Sequence, residues 1–130
     1  MDINKFLSSK AFAVIGASPN RNKFGNKVLR CYIQHGKTVY PIHPREESIE
    51  GLHCFKKISE LPNEVESLSI VTPPSITEQA VEQAIQKGIK NIWMQPGAES
   101  DIAIINCTRH QINVIANGPC LLNTLGFKDE

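Results

Sequence analysis

Short apolar runs alternate with amphipathic stretches along the whole chain, and a polar loop with glycine or proline follows each run. The runs are Ala11–Ile15, Thr38–Ile42, Ser67–Val71, Asn91–Met94 and Ile112–Ala116. The first, Ala11–Ile15, is nearly unbroken in apolar character, as suits a strand covered on both faces of a parallel sheet. Between the runs, apolar residues recur at helical spacing. Phe24–His35 carries Phe24, Val28, Leu29 and Ile33, with Cys31 or Tyr32 beside them. Ser75–Lys87 carries Ile76, Ala80, Val81, Ala84 and Ile85. Glu99–His110 carries Ile102, Ile104, Ile105 and Cys107. Strand–helix alternation of this kind implies βαβ units and a parallel sheet with right-handed crossovers.

The fold expected is therefore α/β: a single Rossmann-like domain over residues 1–130, doubly wound, with about five parallel strands in the order 3-2-1-4-5. A short helix is expected over residues 2–9, a brief extended piece over Gly51–Phe55, and a short turn or helix from Ser59 that Pro62 ends. Pro41 fits a strand poorly because it has no N–H to donate, so it should lie near the strand's end. In such sheets ligands bind beyond the carboxyl ends of the strands. The loops there are Gly16–Lys23, His43–Arg45, Thr72–Pro74, Gln95–Gly97 and Asn117–Cys120, and they converge on one edge.

The composition narrows what that edge recognises. The chain is 41% hydrophobic and 21% charged with a formal net charge of +1, which suits a soluble globular domain. Nothing global attracts nucleic acid or a membrane, so anion recognition must be local. One Trp, two Tyr and five Phe do not supply a stacking surface for single strands. No apolar run approaches a membrane span, and no signal-peptide core is present. The four cysteines form no C-x-x-C pair, so a zinc site is not expected, and a cytoplasmic protein with reduced thiols is. No His–Asp–Ser set and no clustered carboxylates suggest a triad or a metal.

The first loop departs from the dinucleotide fingerprint. Gly16 is followed by Ser18 where a second glycine would stand, and the next glycine is Gly25. The Ser18 hydroxyl and the cations Arg21 and Lys23 suit a phosphate at a helix start. The second strand ends in His43-Pro44-Arg45 and not in the carboxylate that would hold an NAD ribose. A cation there favours a ribose bearing an extra phosphate, as in NADP or coenzyme A.

Four segments together carry a resemblance: Ala13–Pro19, Val39–Pro44, Ser69–Pro74 and Ile92–Gly97. In order and spacing, over essentially the full chain, they resemble the small stand-alone CoA-binding domains. These in turn resemble the N-terminal domain of the succinyl-CoA synthetase alpha subunit. The resemblance implies a cofactor, coenzyme A or an acyl-CoA. It implies phosphate contacts at Gly16, Ala17, Ser18 and Pro19, with Asn22, Lys23 and Gly25 nearby. Pro44 and Arg45 would meet the adenosine end. Val71, Thr72 and Pro73 would line the crevice, with Gln95 and Gly97 at the mouth of the fourth strand. His43 stands where the family often has Asn. The synthetase's phosphorylated histidine belongs to a further domain, so ligase chemistry is not implied.

Cys120 is the one candidate for chemistry. It follows the fifth strand at the same edge and could attack a thioester or form a mixed disulfide with the CoA thiol. Cys31, Cys54 and Cys107 read as packing residues. The expectation is a non-catalytic binding or regulatory module. The rivals are a small NADP-dependent oxidoreductase or NADP-binding regulator, and a nucleotide-shaped fold used as a protein-interaction surface.

Overall fold

The computed structural model describes residues 1–130. Five parallel strands form its central sheet: β1 (Ala11–Ile15), β2 (Val39–Ile42), β5 (Val65–Ile70), β6 (Asn91–Met94) and β7 (Asn113–Ile115). A small antiparallel hairpin, β3 (Ser48–Ile49) and β4 (Leu52–His53), stands apart. The helices are α1 (Ile3–Leu7), α2 (Phe24–Gln34), α3 (Pro74–Lys87), α4 (Asp101–Arg109) and α5 (Leu121–Leu125), with a 3-10 turn at Ile58–Glu60.

Strand β1 shows why the sheet is covered twice. Ala11 and Ala13 pack with the residues of α3 and α4, whereas Phe12 and Val14 pack with α1, α2 and α5. On that second face, Phe12 stacks on Tyr32 at 4.9 Å between ring centroids, and Phe6 meets the edge of Trp93 at 5.3 Å. The expected two-sided burial is what the structure has.

The strand order is a correction. The sheet runs β2-β1-β5-β6-β7, so in chain order the strands stand 2-1-3-4-5, not 3-2-1-4-5. The third parallel strand, β5, pairs with β1 and not with the far side of β2. Pro41 supplies the reason. The Pro41 carbonyl and the His43 N–H face the outer edge of β2, where Phe55 pairs with both. Successive backbone groups on that side would include the N–H that Pro41 lacks, so β2 is suited to the edge. Ile58 and Leu61 pack on the α3/α4 face, so the chain crosses back over that face before β5. The first crossover, α2, lies on the opposite face. The point where the winding changes hands is thus between β1 and β5.

Other boundaries move by a residue or two. Pro74 opens α3 at its first turn, where a missing N–H costs nothing. The expected extended piece at Gly51–Phe55 is instead half of a hairpin that turns at Glu50 and Gly51, both at positive φ (51° and 78°). Helix α5 was not expected. The apolar stripes shift too: Ala103 and Cys107 are the buried residues of α4, while Ile102 and Ile105 are 67% and 52% exposed.

All four cysteines are unpaired, and Cys31, Cys54 and Cys107 are buried as packing residues. Burial, with the neighbouring Cys120 adding to it, pushes the Cys31 thiol up to about 11, and burial pushes Cys107 to about 12, from an ordinary 9.0. Between the ordinary and the raised values the folded chain keeps protons that the unfolded chain releases. Their contribution to stability is therefore complete below pH 9 and is lost as pH rises toward 11, by roughly 1.4 kcal/mol per pH unit for each thiol. Urea midpoints stepped through that window should fall, and Cys107→Ala should flatten the slope. A flat wild-type profile would show that neither thiol is held protonated by the fold.

Candidate functional site

The site begins with a backbone contact. Gly16 ends β1 at φ +91°, and a Cβ placed there would lie 1.9 Å from the Val71 carbonyl oxygen. A Cβ on Gly25, in the first turn of α2, would lie 1.9 Å from the Gly16 carbonyl oxygen. Only hydrogen fits at either position. The loop after β1, the loop after β5 and the start of α2 therefore meet backbone to backbone. Gly25 stands farther from Gly16 than the fingerprint's third glycine does from its first, and it still allows the close helix–strand packing that such turns need.

The intervening loop is fastened from within. Ser18 Oγ accepts the Asn20 N–H at 3.1 Å, which leaves its own hydroxyl hydrogen free to donate. Asn20 Oδ1 accepts the Asn22 N–H at 3.0 Å, and the Lys23 N–H goes to the Asn20 carbonyl. From below, buried Asn26 donates to the Ser18 carbonyl at 2.8 Å and accepts from Arg30 Nε at 2.6 Å. Arg30, 4% exposed, also donates to the Arg21 carbonyl at 2.8 Å and to Asp129 at 3.0 Å, and lies over the Phe127 ring. The Arg30 hydrogen bond and the charges of Lys27 and Arg30 hold the Asp129 carboxyl below its usual range.

The loop's cations have separate fates. Arg21 is turned aside, 3.8 Å from Glu50 on the hairpin tip and donating to the Glu130 carbonyl. Lys23 is exposed and makes no ion pair. It precedes α2, which no side chain caps. The first-turn amides, Ser18 and Lys23 thus face the same open edge, with the helix's positive end behind them.

After β2, Pro44 and Arg45 are exposed. The His43 Nδ1 accepts the Arg45 and Glu46 N–H groups, each at 3.0 Å, so it caps the turn as an asparagine side-chain oxygen would. Between the loops after β1, β5 and β6 lies a cleft of about 330 Å³, lined by Phe24, Val71, Thr72, Pro73, Pro96, Gly97 and Ala98. No charged side chain lines it. Phe24, expected only on a helix stripe, and Ala98, outside every expected loop and helix, join the expected crevice residues here. Their place in the cleft follows from the Gly16–Gly25 contact, which draws the start of α2 toward β5. Gly97 sits at φ +95°, with its N–H held by Glu99.

Gln95 lies behind the cleft rather than in it. It is fully buried, and its Oε1 accepts the Leu121 N–H at 2.9 Å. Its Nε2 has no partner. Cys120 is half-buried beside that contact. A larger cleft, about 680 Å³, lies between the 3-10 turn and the second half of α3, lined by Lys56, Lys57, Lys87, Ser59, Gln83 and Gln86. It is distant from the strand ends, because α3 runs from the carboxyl edge of the sheet down to the start of β6. No cluster of three or more His, Cys, Asp or Glu side chains is placed to hold a metal ion, and no helix is long and apolar enough to cross a membrane.

A parallel sheet wound both ways, with a helix start and an uncharged cleft at its switch point, defines a Rossmann-like α/β domain. The chain belongs to the CoA-binding domain family, whose model matches residues 10–124. It is 33% identical over 91 residues to the alpha subunit of ADP-forming acetate–CoA ligase II of Pyrococcus furiosus, covering 69% of this chain and 20% of the relative. It is 33% identical over 136 residues to ADP-forming acetate–CoA ligase II of Archaeoglobus fulgidus, covering 95% of this chain and 20% of the relative. The chain thus matches about a fifth of the length of these ligases. Among solved structures, a conserved hypothetical protein from Pyrococcus furiosus superposes with a TM-score of 0.83 at 32% identity, covering 88% of this chain and 98% of that one. A hypothetical protein from Pyrococcus horikoshii gives 0.86 at 28% identity, covering 95% and 88%.

The Gly16–Gly25 contact is directly testable. Alanine is the better helix former, yet Gly25→Ala forces a methyl group against the Gly16 carbonyl. The variant should lose about 2–3 kcal/mol of stability by urea unfolding. An unchanged or raised midpoint would show that the loop yields freely.

Proposed function

We propose that the chain binds coenzyme A or an acyl-CoA along the carboxyl edge of its sheet and acts as a binding or regulatory module. The observation that carries this is the juxtaposition at the switch point. An uncapped helix start with a free lysine and a free serine hydroxyl stands directly beside a cleft with no charged lining. CoA is built the same way, with phosphates joined to a long uncharged arm. The phosphates would meet Ser18, Lys23 and the backbone from Gly16 to Gly25. The uncharged arm would lie against Phe24, Val71, Pro73, Pro96 and Ala98. Arg45, exposed and without an ion pair, would read the phosphate on the ribose.

Membership of the family supports this ligand over NADP, and the absence of a glycine at position 18 supports it independently. The ligase relatives' names concern much longer proteins, and ligase activity is not part of the proposal. Four unpaired thiols suit a cytoplasmic setting.

Thermal unfolding with CoA, acetyl-CoA, dephospho-CoA, NADP and NAD separates the readings. CoA at about a hundred times its dissociation constant should stabilise the fold by about 2.7 kcal/mol. Ser18→Ala and Lys23→Ala should each weaken CoA about fivefold to tenfold, with little change in the unliganded melting point. Dephospho-CoA should bind more weakly than CoA, and Arg45→Ala should erase that difference. Stabilisation by NADP with none by CoA would sink the proposal.

A further inference from the structure

Helix α3 sorts its polar side chains by face. Its two carboxylates, Glu78 and Glu82, both turn to α4, where they accept from Ser100 Oγ and from Asn106 Nδ2. The face toward the 3-10 turn carries Gln83, Gln86 and Lys87 and no acid. Across from it stand Lys56, Lys57 and Ser59, and these six residues enclose the cleft of about 680 Å³. No carboxylate and no apolar side chain lines it. Glu60, the one acid of the turn, accepts the Lys56 N–H on its Oε1 at 3.2 Å and is not part of the lining.

None of the three lysines is in an ion pair. Lys87 Nζ has a neutral partner, Asn63 Oδ1 at 3.2 Å. Three positive charges therefore surround one cleft in a chain whose net charge is +1. Lys87 alone is explained by its place in the last turn of α3, where a cation suits the helix's negative end. Lys56 and Lys57 precede the 3-10 turn and have no such reason. Ammonium groups gathered around one cavity repel one another, and an anion held between them turns that repulsion into attraction. The backbone on both sides is fixed, because Ile58 and Leu61 of the turn share one buried cluster with Ala80, Val81 and Ala84 of α3. What a ligand must order there is side chains.

We propose that this cleft is a second binding site, for a small polyanion made of two or more linked phosphate groups. Its concavity suits a small molecule. The lack of apolar or aromatic lining gives a nucleobase or an acyl chain nothing to lie against. Ammonium groups meet phosphate oxygens as point charges, and Ser59, Gln83 and Gln86 add neutral donors. No arginine fork is present to match a planar carboxylate. The cleft shares no residue with the one at the strand ends, so its ligand is independent of the one proposed there.

The test is a titration of the isotope-labelled full chain with pyrophosphate, tripolyphosphate, inorganic phosphate and citrate, with backbone amide shifts followed residue by residue. Amides of Lys56–Ser59 and Gln83–Lys87 report this cleft, and those of Gly16–Gly25 report the strand-end loop. Pyrophosphate and tripolyphosphate should shift the first set saturably, at least about fivefold more tightly than inorganic phosphate or citrate. Lys56→Gln combined with Lys87→Gln should weaken that response about tenfold or more and leave the response of Gly16–Gly25 as it was. Lys10→Gln, which removes the same charge from an exposed position elsewhere, should change it less than about twofold. Saturation confined to Gly16–Gly25, equal binding of citrate or inorganic phosphate, or an equal effect of Lys10→Gln overturns the proposal. So does tighter binding of an oligoglutamate peptide than of tripolyphosphate, which would give the cleft to an acidic protein segment instead.

Discussion

The structure depends on a place where three backbone segments touch with no side chain between them. The Gly16 carbonyl meets α2 at Gly25, and the Gly16 α-carbon meets the Val71 carbonyl. This contact closes the end of β1 against both its own helix and its neighbouring strand. It lies where the crossovers change faces, so it also sets the width of the crevice. Any side chain there would push α2 outward by the thickness of a methyl group and separate the helix start from the cleft. The residues between Ala17 and Lys23 must then bulge away from the sheet. They have no strand partners, and Asn26 and Arg30 replace these with side-chain bonds to the Ser18 and Arg21 carbonyls.

That arrangement divides the cations into two groups by neighbour and not by type. Arg21, Lys27 and Arg30 are matched to Glu50 and Asp129, and their charge is spent on holding the loop and the last residues in place. Lys23 and Arg45 carry no such partner and stand at two separate strand ends. A net charge of +1 is therefore compatible with binding an anion. What a ligand meets is the local field of two free cations and a helix start, in a setting where the matched pairs largely cancel.

The alternation of runs made the layers and the edge where the loops gather legible in the sequence, since strand-end loops converge in any parallel sheet. The order of strands was also partly written there, in Pro41. A proline with its missing N–H directed outward belongs on an edge, and the order 3-2-1-4-5 would have placed that strand between two others. The hairpin and α5 were harder to see, because two-residue strands and a five-residue helix show no period. Helix α4 was misread for a related reason. Its three isoleucines cannot share one face, and the small residues Ala103 and Cys107 decide which face is buried. Gln95 was named from its motif, but its orientation could not be read without α5, which provides the donor that turns its amide.

Gln95 is also where packing alone fails as an explanation. A buried amide that satisfies one N–H and leaves its own nitrogen without an acceptor carries a cost of about 1–3 kcal/mol. The Leu121 N–H needs an acceptor, and the amide supplies one while its own nitrogen goes without. Every other buried side-chain polar atom has found a partner, including the Tyr32 hydroxyl on Ser69 and the ladder from Asn113 through Asn91 to Ser67. A fold that satisfies its interior so completely leaves this one donor spare at the end of β6, where the next three residues go on to line the cleft.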